Sequence, residues 1–170
     1  TGIVTTDVPF ESKGSERGWE VLAVAVAVAG LVLRAWAVGT APPGTSERST
    51  THPRASQLRT DGLYSTVRHP LYLANGLMGL GIALFPGVWF LPFIVALAAL
   101  LHYERIAARE EQFLEGQFGE SFREWASRVP AILPRLDTYV ASATSMSWRK
   151  VLRDEFHGLL VIAASVCVLD

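Results

Sequence analysis

The chain has 170 residues, of which 50% are hydrophobic and 18% are charged, and its formal net charge is -1. The apolar fraction exceeds that of an ordinary soluble domain and lies in blocks, which favours a membrane protein. The near-neutral charge, with no basic stripe, argues against nucleic-acid binding. The single cysteine, Cys167, can form neither an internal disulfide nor a metal site, so we expect no metal.

The first long apolar segment comprises residues 19–38, which read WEVLAVAVAVAGLVLRAWAV. About 20 apolar residues are the length at which a helix crosses the hydrocarbon core of a bilayer. The valine–alanine alternation is also typical of a strand, but the lack of a polar face favours a helix in lipid. We therefore predict a transmembrane helix, with Arg34 reaching towards the interface and Trp19 and Trp36 in the aromatic belts.

A loop rich in Gly, Pro, Ser and Thr over residues 39–62 leads to a second apolar region. Pro70 is well placed as the first residue of a helix. Residues 71–85 and 88–101 are apolar and are separated by a Pro-Gly pair, which predicts a helical hairpin. Glycines along the first arm predict the close approach of another helix; they are Gly76, Gly79 and Gly81.

The second arm of the hairpin is expected to continue as a helix into water. Each arm has about 15 residues, roughly 22 Å at helical rise, whereas the hydrocarbon core is about 30 Å thick. No helix breaker follows residue 101 until Gly116. Arginine and lysine are absent from the hairpin turn and frequent on both sides of the hairpin, so the positive-inside rule places both polar segments in the cytosol. Because the chain opens on Thr1 and stops within an apolar run at 158–169, we expect it to be part of a longer protein.

Two motifs flank the second arm of the hairpin. GLYSTVRHPLYLANGLMGLGIAL begins at Gly62, and EEQFLEGQFGESFREWASRVPAILP begins at Glu110. They resemble the membrane methyltransferases of the isoprenylcysteine carboxyl methyltransferase and phospholipid methyltransferase superfamily, and the resemblance covers residues 58–134. Phe122 stands where that pattern has a tyrosine, and we expect it to pack. The resemblance implies an all-α fold: residues 1–170 form one domain, a polytopic membrane helical bundle with a helical hairpin and a cytosolic C-terminal helix and loop segment.

The resemblance implies S-adenosylmethionine as the cofactor, and the motif residues suit its chemistry. Its carboxylate needs donors, which Arg68 and His69 offer, and its ammonium needs an acid, such as Glu110 or Glu111. An interface anchor for the first pair and a solvated helix face for the second pair are the alternative interpretations. The residues expected to bind the cofactor are Arg68, His69, Pro70, Leu71, Tyr72, Asn75, Glu110 and Glu111.

Methyl transfer to an ionised carboxylate or phosphate requires no general base, because the acceptor oxygen already carries its charge. The protein has to supply orientation and desolvation. Cations that hold an anionic acceptor are therefore the expected catalytic groups. Arg105 and Arg109 are the candidates, since they lie one turn apart just before the two glutamates. An ion pair with Glu104 or a contact with lipid headgroups is the alternative.

The loop before the hairpin and the late segment SWRKVLRDEFHGLLVIAASVCVLD resemble a bacterial branch of the superfamily that is associated with methylation of the lipid A phosphate. Hydroxyl groups and a guanidinium suit a phosphate, and the candidates in the loop are Thr45, Ser46 and Arg48. A connector without a ligand is the alternative. The resemblance implies a bacterial inner-membrane protein with a cytosolic active site and a lipid or lipid-anchored substrate.

Other functions remain open on the sequence alone. Sterol-type NADPH-dependent membrane reductases share a related hairpin, but Leu71 stands where their pattern has an asparagine. A phospholipid amine N-methyltransferase would need a base that takes a proton from the acceptor. A membrane module without activity is disfavoured because five motif residues are intact, namely Arg68, His69, Tyr72, Glu110 and Glu111. Binding of S-adenosylmethionine or of a reduced nicotinamide discriminates the first class from the methyltransferases.

Overall fold

The computed structural model describes residues 13–41, 57–154 and Leu160. Within these residues all regular structure is helical, with no β-strand, so the all-α prediction is confirmed. The predicted final apolar run lies outside the described residues, apart from Leu160. Four α-helices of the described residues are labelled α1 (Lys13–Gly39), α2 (Pro70–Leu84), α3 (Leu91–Phe118) and α4 (Glu120–Arg128). Short 3₁₀ turns lie at Leu63–Ser65 and Leu136–Thr138, and residues 148–154 are helical again.

The helices α1 and α2 run antiparallel and form the most extensive helix contact of the fold. The indole nitrogen of Trp19 donates to the carbonyl oxygen of Leu84 at one end of the pair (2.7 Å). Nearer the other end, the Arg34 guanidinium donates to the Asn75 side-chain oxygen. These two contacts fix the register of α1 on α2.

Glycine makes the contact between α1 and α2 close. A Cβ atom at Gly30 would lie 2.7 Å from the backbone oxygen of Ala74, and one at Gly81 would lie 2.7 Å from the backbone oxygen of Ala23. The prediction of a close approach is therefore confirmed at Gly81. At Gly79 the nearest atom would be at an ordinary distance of 3.6 Å, and at Gly76 a Cβ would meet no atom within 4 Å.

Two helices, residues 14–39 of α1 and the whole of α3, are long and apolar enough to cross a membrane. The helix α2 has 15 residues, about 22 Å at helical rise, and is shorter than a hydrocarbon core of about 30 Å. Large apolar side chains on the first half of α3 are exposed, as expected of a helix in contact with lipid; they include Phe93, Ile94, Leu97, Leu100 and Leu101.

The predicted extension of the second hairpin arm is confirmed, because α3 continues to Phe118. The helix passes through Gly116 and ends at Gly119, whose φ of +55° is a backbone conformation that favours glycine. The Gly119 amide donates to the Glu115 carbonyl oxygen (2.8 Å). Since α4 begins at the next residue, this glycine turns the chain back onto the loop before α2.

The amphipathic helix α4 covers the polar end of the hairpin. Phe122, Trp125 and Val129 are buried together, and the expectation that Phe122 packs is confirmed. The Trp125 indole nitrogen donates to the backbone oxygen of Tyr64 (3.0 Å). Partly buried residues complete this cluster: Leu58, Tyr64, Leu114, Phe118 and Ala126.

The loop before α2 is held by the end of α1 and by the segment after α4. The Arg59 guanidinium donates to the backbone oxygens of Ala37 (3.1 Å) and Thr40 (2.9 Å), carbonyl groups that a helix C-terminus leaves without partners. The amide of Arg68 donates to the Pro130 oxygen (2.8 Å). The chain that leads into α2 is therefore fixed on both sides.

Candidate active site

The helix α2 begins within the first motif, at a cluster of polar side chains formed by Arg68, His69, Tyr72, Glu110 and Glu111. His69 is the N-cap of α2 and Pro70 is its first residue, where the missing proline N–H costs no hydrogen bond. The side chain of His69 is 8% exposed. The hydrogen-bonded loop and the first turn of α2 therefore hold Arg68 and His69 against α3.

Glu111 joins both residues of this pair to α3. Its Oε1 atom lies 2.9 Å from Nε of Arg68 and 2.7 Å from Nε2 of His69. Carboxylate oxygens accept hydrogen bonds, so Nε2 carries the proton in the contact with His69. Charge-assisted bonds of this kind are among the strongest in proteins, and Glu111 therefore fixes the histidine ring.

Glu110 occupies a more open position on the same cluster. The Tyr72 hydroxyl donates to its Oε2 atom (2.8 Å), and Nδ1 of His69 lies 3.7 Å from the same oxygen. The Glu110 side chain is 45% exposed, compared with 26% for Glu111. Of the two predicted acids, Glu110 is the more accessible to a ligand.

Three aromatic rings are stacked next to the acids. The rings of His69 and Tyr72 are 5.3 Å apart and inclined by 15°, and those of Tyr72 and Tyr103 are 5.1 Å apart and inclined by 12°. Tyr103 lies seven residues, or about two turns, before Glu110, and therefore on the same face of α3. The stack extends from the acids along the hairpin towards its apolar part.

The guanidinium of Arg68 links the site to α4. Its Nη1 atom donates to the backbone oxygens of Ala126 (2.9 Å) and Val129 (3.4 Å) at the end of that helix. A cation at this position also interacts favourably with the helix dipole. Arg68 is thus held from two sides, by carbonyl groups of α4 and by Glu111.

Asn75 lies deeper along α2, where it meets α1. Its Oδ1 atom accepts a hydrogen bond of 2.6 Å from Nη1 of Arg34. Both side chains are partly buried. The sequence prediction had Arg34 reaching for the membrane interface, and the structure joins it across the helix contact to a predicted site residue.

The charged side chains of the site also affect Tyr64, which lies in the loop before α2. Burial raises the pKa of Tyr64 to about 12, the Arg59 guanidinium opposes this rise, and the charge of Glu110 adds to it. The Arg59 guanidinium lies 4.7 Å from the centre of the Tyr64 ring. A cation and a partly buried phenol thus lie next to the acids on the loop side.

The residues predicted to bind the cofactor or the substrate fall into three groups. The structure brings together Arg68, His69, Tyr72, Glu110 and Glu111. Pro70 is buried at the start of α2, while Leu71 and Asn75 are partly buried on that helix. The loop candidates, Thr45, Ser46 and Arg48, lie outside the described residues.

The two predicted catalytic arginines point away from the cluster. Arg105 and Arg109 are exposed on α3, and in the part of the chain that the structure describes neither has a hydrogen bond or an ion pair. At about 100° per residue they lie about 160° and 120° around the helix from Tyr103. The face of α3 that carries Tyr103 and Glu110 is not the face that carries these arginines.

Sequence reasoning missed two side chains at this site. Tyr103 had a usable signal, because its seven-residue spacing from Glu110 puts both on one face of α3. The contact of Arg34 with Asn75 had a weaker signal, namely a charge within an apolar helix, which is usually functional. No group of three or more His, Cys, Asp or Glu residues suited to a metal ion is found over 13–41 and 57–154.

The family of the chain follows from its match to known proteins. Residues 19–121, more than half of the chain, match the phospholipid methyltransferase family. The chain belongs to the phospholipid methyltransferase family. The matched region contains α1 from residue 19 onwards, the hairpin and the cluster around His69. Together with the two candidate spans, membership of this family supports an integral membrane protein.

Two of the similar proteins are named for metal resistance. The chain is 37% identical over 114 residues to the cobalt-zinc-cadmium resistance protein CzcN of Cupriavidus metallidurans, covering 64% of this chain and 52% of the relative. It is 35% identical over 121 residues to the nickel-cobalt-cadmium resistance protein NccN of Alcaligenes xylosoxydans xylosoxydans, covering 66% and 55%.

A third relative is named for an enzyme. The chain is 30% identical over 77 residues to the protein-S-isoprenylcysteine O-methyltransferase of Schizosaccharomyces pombe, covering 45% of this chain and 33% of the relative. The chain spans about half the length of the two metal-resistance relatives. No solved structure matches it.

Proposed function

We propose that the protein is a membrane methyltransferase that uses S-adenosylmethionine and methylates an anionic oxygen of a lipid or lipidated acceptor. The family and the yeast O-methyltransferase relative support the reaction class. The observation that carries the proposal is the cluster in which the two motifs meet, with His69 between Glu110 and Glu111.

The cluster fits the charged and aromatic parts of this cofactor. Glu110 offers a half-exposed carboxylate to the ammonium group. The Tyr72 ring is covered on both faces by His69 and Tyr103, so the Tyr103 ring at the end of the stack would attract a cation such as a sulfonium and provide apolar surface for an adenine. Arg68 is a cation of the cluster and would offer its guanidinium to the cofactor carboxylate. These side chains would hold the cofactor at the polar end of the hairpin.

The two glutamates have different roles in this proposal. Glu110 contacts the cofactor because it is the more exposed acid and is oriented by the Tyr72 hydroxyl. Glu111 positions the site, because its contacts with Arg68 and His69 fix both side chains. Such supporting contacts hold binding groups in a productive geometry before the ligand arrives.

Bound S-adenosylmethionine would supply an electrophilic methyl group, which an acceptor oxygen would take in a new C–O bond while the C–S bond breaks and its electron pair passes to sulfur. An ionised phosphate or carboxylate needs no base from the protein. The residues of the chain therefore bind, orient and exclude water. The stacked rings and the apolar helices would provide the desolvated side of the site.

The topology of the proposal follows the charge distribution. Lysine and arginine are frequent before α2 and after α3 and are absent from the turn between these helices. The positive-inside rule then puts the cluster at the cytosolic surface, in bacteria at the inner membrane. There, a soluble cofactor meets a lipid-borne acceptor. Arg105 and Arg109, on the exposed side of α3, would contact anionic headgroups around the enzyme.

Two relatives are named for metal resistance, and methylation of a phosphate offers a physical reason for such a role. Each new methyl ester removes one negative charge from the membrane surface, which weakens its attraction for divalent cations. We include resistance to such cations in the proposal. Less cell-bound cobalt in cells that express the protein than in cells that express Glu110→Gln would support this link, and equal amounts would contradict it.

An amine acceptor is the second candidate, because a half-exposed carboxylate such as Glu110 could take its proton. Product analysis separates the two. Lipid extracts from membranes incubated with labelled S-adenosylmethionine should carry the label on phosphate or carboxylate oxygen. Label on the nitrogen of phosphatidylethanolamine would contradict the anionic acceptor and leave the cofactor assignment intact.

Calorimetry on the detergent-purified protein tests the cofactor. We expect binding of S-adenosylmethionine and S-adenosylhomocysteine and none of NADPH. Binding of NADPH alone would overturn the methyltransferase proposal in favour of a reductase.

A further inference from the structure

Large apolar side chains are exposed in the segment that follows α4. Leu133 and Leu136 are 77% and 80% exposed, and Val140 is also exposed. All three belong to residues 132–140, which we call the 132–140 segment. Apolar side chains that are exposed together mark a surface that contacts another protein or a membrane.

The 132–140 segment is attached to the end of the first candidate membrane span. The ring of Tyr139 lies beside that of Trp36, with 6.3 Å between the ring centroids. Trp36 is three residues before the last residue of α1, Gly39, or about 4.5 Å along the helix axis. Tryptophan and tyrosine are frequent at the level of the lipid headgroups. The segment therefore lies at the depth of a membrane surface.

Hydrogen bonds hold the 132–140 segment against the loop before α2. The amide of Arg135 donates to the Thr66 oxygen (2.9 Å). The amide of Val140 donates to Oγ of Ser65 (2.8 Å), and its carbonyl oxygen accepts a bond of 2.9 Å from the Gly62 amide. Because these backbone groups are paired within the protein, the segment meets an apolar medium at a lower cost than a loop whose backbone needs water.

The charges of the segment suit a shallow position among lipid headgroups. Arg135 and Asp137 form an ion pair of 2.8 Å, so these two side chains together carry no net charge. Both are exposed by more than half. They can therefore remain in contact with water and headgroups while neighbouring leucines enter the apolar layer.

The helical residues 148–154 present a similar surface at the same end of α1. Just before them, the Ser147 amide donates to the Gly39 oxygen (2.9 Å). Trp148 and Leu152 are exposed and, being four residues apart, lie on one face of the helix. Arg149 is exposed and forms no ion pair with a described residue. A cation beside apolar side chains favours the surface of a membrane with anionic lipids.

We propose that the 132–140 segment lies in the lipid headgroup layer at the membrane surface where α1 ends, with Leu133 and Leu136 inserted into the edge of the hydrocarbon. The partner is the bilayer, because the contact with Trp36 fixes the depth of the segment. This contact with lipid does not depend on the methyl acceptor proposed above. Since the segment is bound to Ser65 and Thr66, it also holds the start of the first motif at the lipid surface.

Spin labels test this contact in the protein reconstituted into nanodiscs of phosphatidylcholine and phosphatidylglycerol. The variants Leu133→Cys and Leu136→Cys are made together with Cys167→Ser, so that the introduced thiol is the only one. Two further exposed positions serve as references: Leu97→Cys on the apolar half of α3 for lipid, and Ser121→Cys on α4 for water. Because all four labelled sites are exposed, the substitutions leave the core packing unchanged.

The measured quantity is the accessibility of each label to oxygen, which dissolves in lipid, relative to a nickel chelate, which stays in water. At positions 133 and 136 we expect this ratio to lie nearer to that of Leu97→Cys than to that of Ser121→Cys. Either variant decides the question if the other does not fold.

Three results would overturn the inference. A ratio equal to that of Ser121→Cys would place the 132–140 segment in water. An immobile label that neither reagent reaches would show that a second copy or another part of the chain covers the leucines. A water-like ratio at position 97 as well would contradict the membrane span of α3 itself. None of these results bears on cofactor binding, which calorimetry tests separately.

Discussion

The hydroxyl of Tyr72 donates to Oε2 of Glu110 over 2.8 Å, which joins the first turn of α2 to α3 where α3 becomes polar. The Tyr72 ring also lies between those of His69 and Tyr103. One side chain therefore orients the more exposed acid and continues the aromatic stack. Tyr72 thus connects the two motifs of the chain physically.

The first prediction concerns the exposed acid. Glu110→Gln should weaken the binding of S-adenosylmethionine by roughly tenfold to a hundredfold, because a charge-assisted hydrogen bond is worth about 1.5–3 kcal/mol. Isothermal calorimetry in detergent measures this. Glu115→Gln removes an exposed acid from the same helix, paired with Arg123, and should bind normally. Equal affinity in the two variants would show that Glu110 does not contact the cofactor.

The second prediction is that substitution of Glu111 lowers the stability of the protein more than substitution of Glu110. Glu111→Gln weakens contacts with Arg68 and His69, both largely buried, and should lower the free energy of unfolding by about 1–3 kcal/mol. Thermal unfolding monitored by tryptophan fluorescence checks this. Glu110→Gln should unfold near the temperature of the unsubstituted protein. The opposite order of the two unfolding temperatures would reverse the roles assigned to the glutamates.

The third prediction tests the close contact of α1 with α2. Gly30→Ala puts a methyl group 2.7 Å from the Ala74 backbone oxygen, and overpacking of this kind costs about 1–3 kcal/mol. A lower unfolding temperature is the expected result. Gly76→Ala is the matched control, since a Cβ there meets no atom within 4 Å, and it should cause no loss. Similar behaviour of the two variants would mean that the helices do not pack at Gly30.

The fourth prediction is a dependence of stability on pH. Burial pushes the pKa of the Asp61 carboxyl up, but the Ala143 amide and Arg59 outweigh it and hold the pKa below its usual 3.8. Folding therefore favours the ionised form, and this stabilisation is complete above pH 3.8 and lost as the pH falls through the folded-state value. The Ala143 amide donates to Oδ2 over 2.7 Å.

The variant Asp61→Asn should accordingly unfold at a lower temperature than the unsubstituted protein at pH 7. The difference should shrink as the pH falls below 3.8. Unfolding scans of both proteins from neutral to acidic pH provide the measurement. A difference that stays constant over this range would show that the Asp61 charge contributes nothing to folding.

Much of the fold could be predicted from the sequence because its signals are local. The apolar run at 19–38 lies within α1, and the continuation of α3 beyond the membrane follows from strong helix formers without a breaker. The burial of Phe122 was also predicted correctly. The end of α3 was expected near Gly116 but falls at Gly119, because a glycine stops a helix only where the backbone takes a positive φ.

Helix contacts were less predictable. Three glycines of α2 predicted the close approach of another helix. Of these three, only Gly81 lies against the α1 backbone. Its counterpart, Gly30, had no distinguishing signal within an apolar run. The face of α2 that meets α1 depends on how the whole side-chain surfaces interlock, and spacing along one helix does not specify this.

The sequence by itself determined the helices, the two motifs and the residue types of the site. The tertiary structure decided which of these residues meet: His69 and Glu111 are 42 positions apart and Arg34 and Asn75 are 41 apart. It also turned Arg105 and Arg109 away from the cluster. The physical reason is that helix periodicity fixes directions within one helix, whereas the distance between side chains on two helices depends on their register and rotation. In this protein close glycine packing and the hydrogen bonds of Trp19 and Arg34 set the register of α1 on α2, and Glu111 joins the start of α2 to α3.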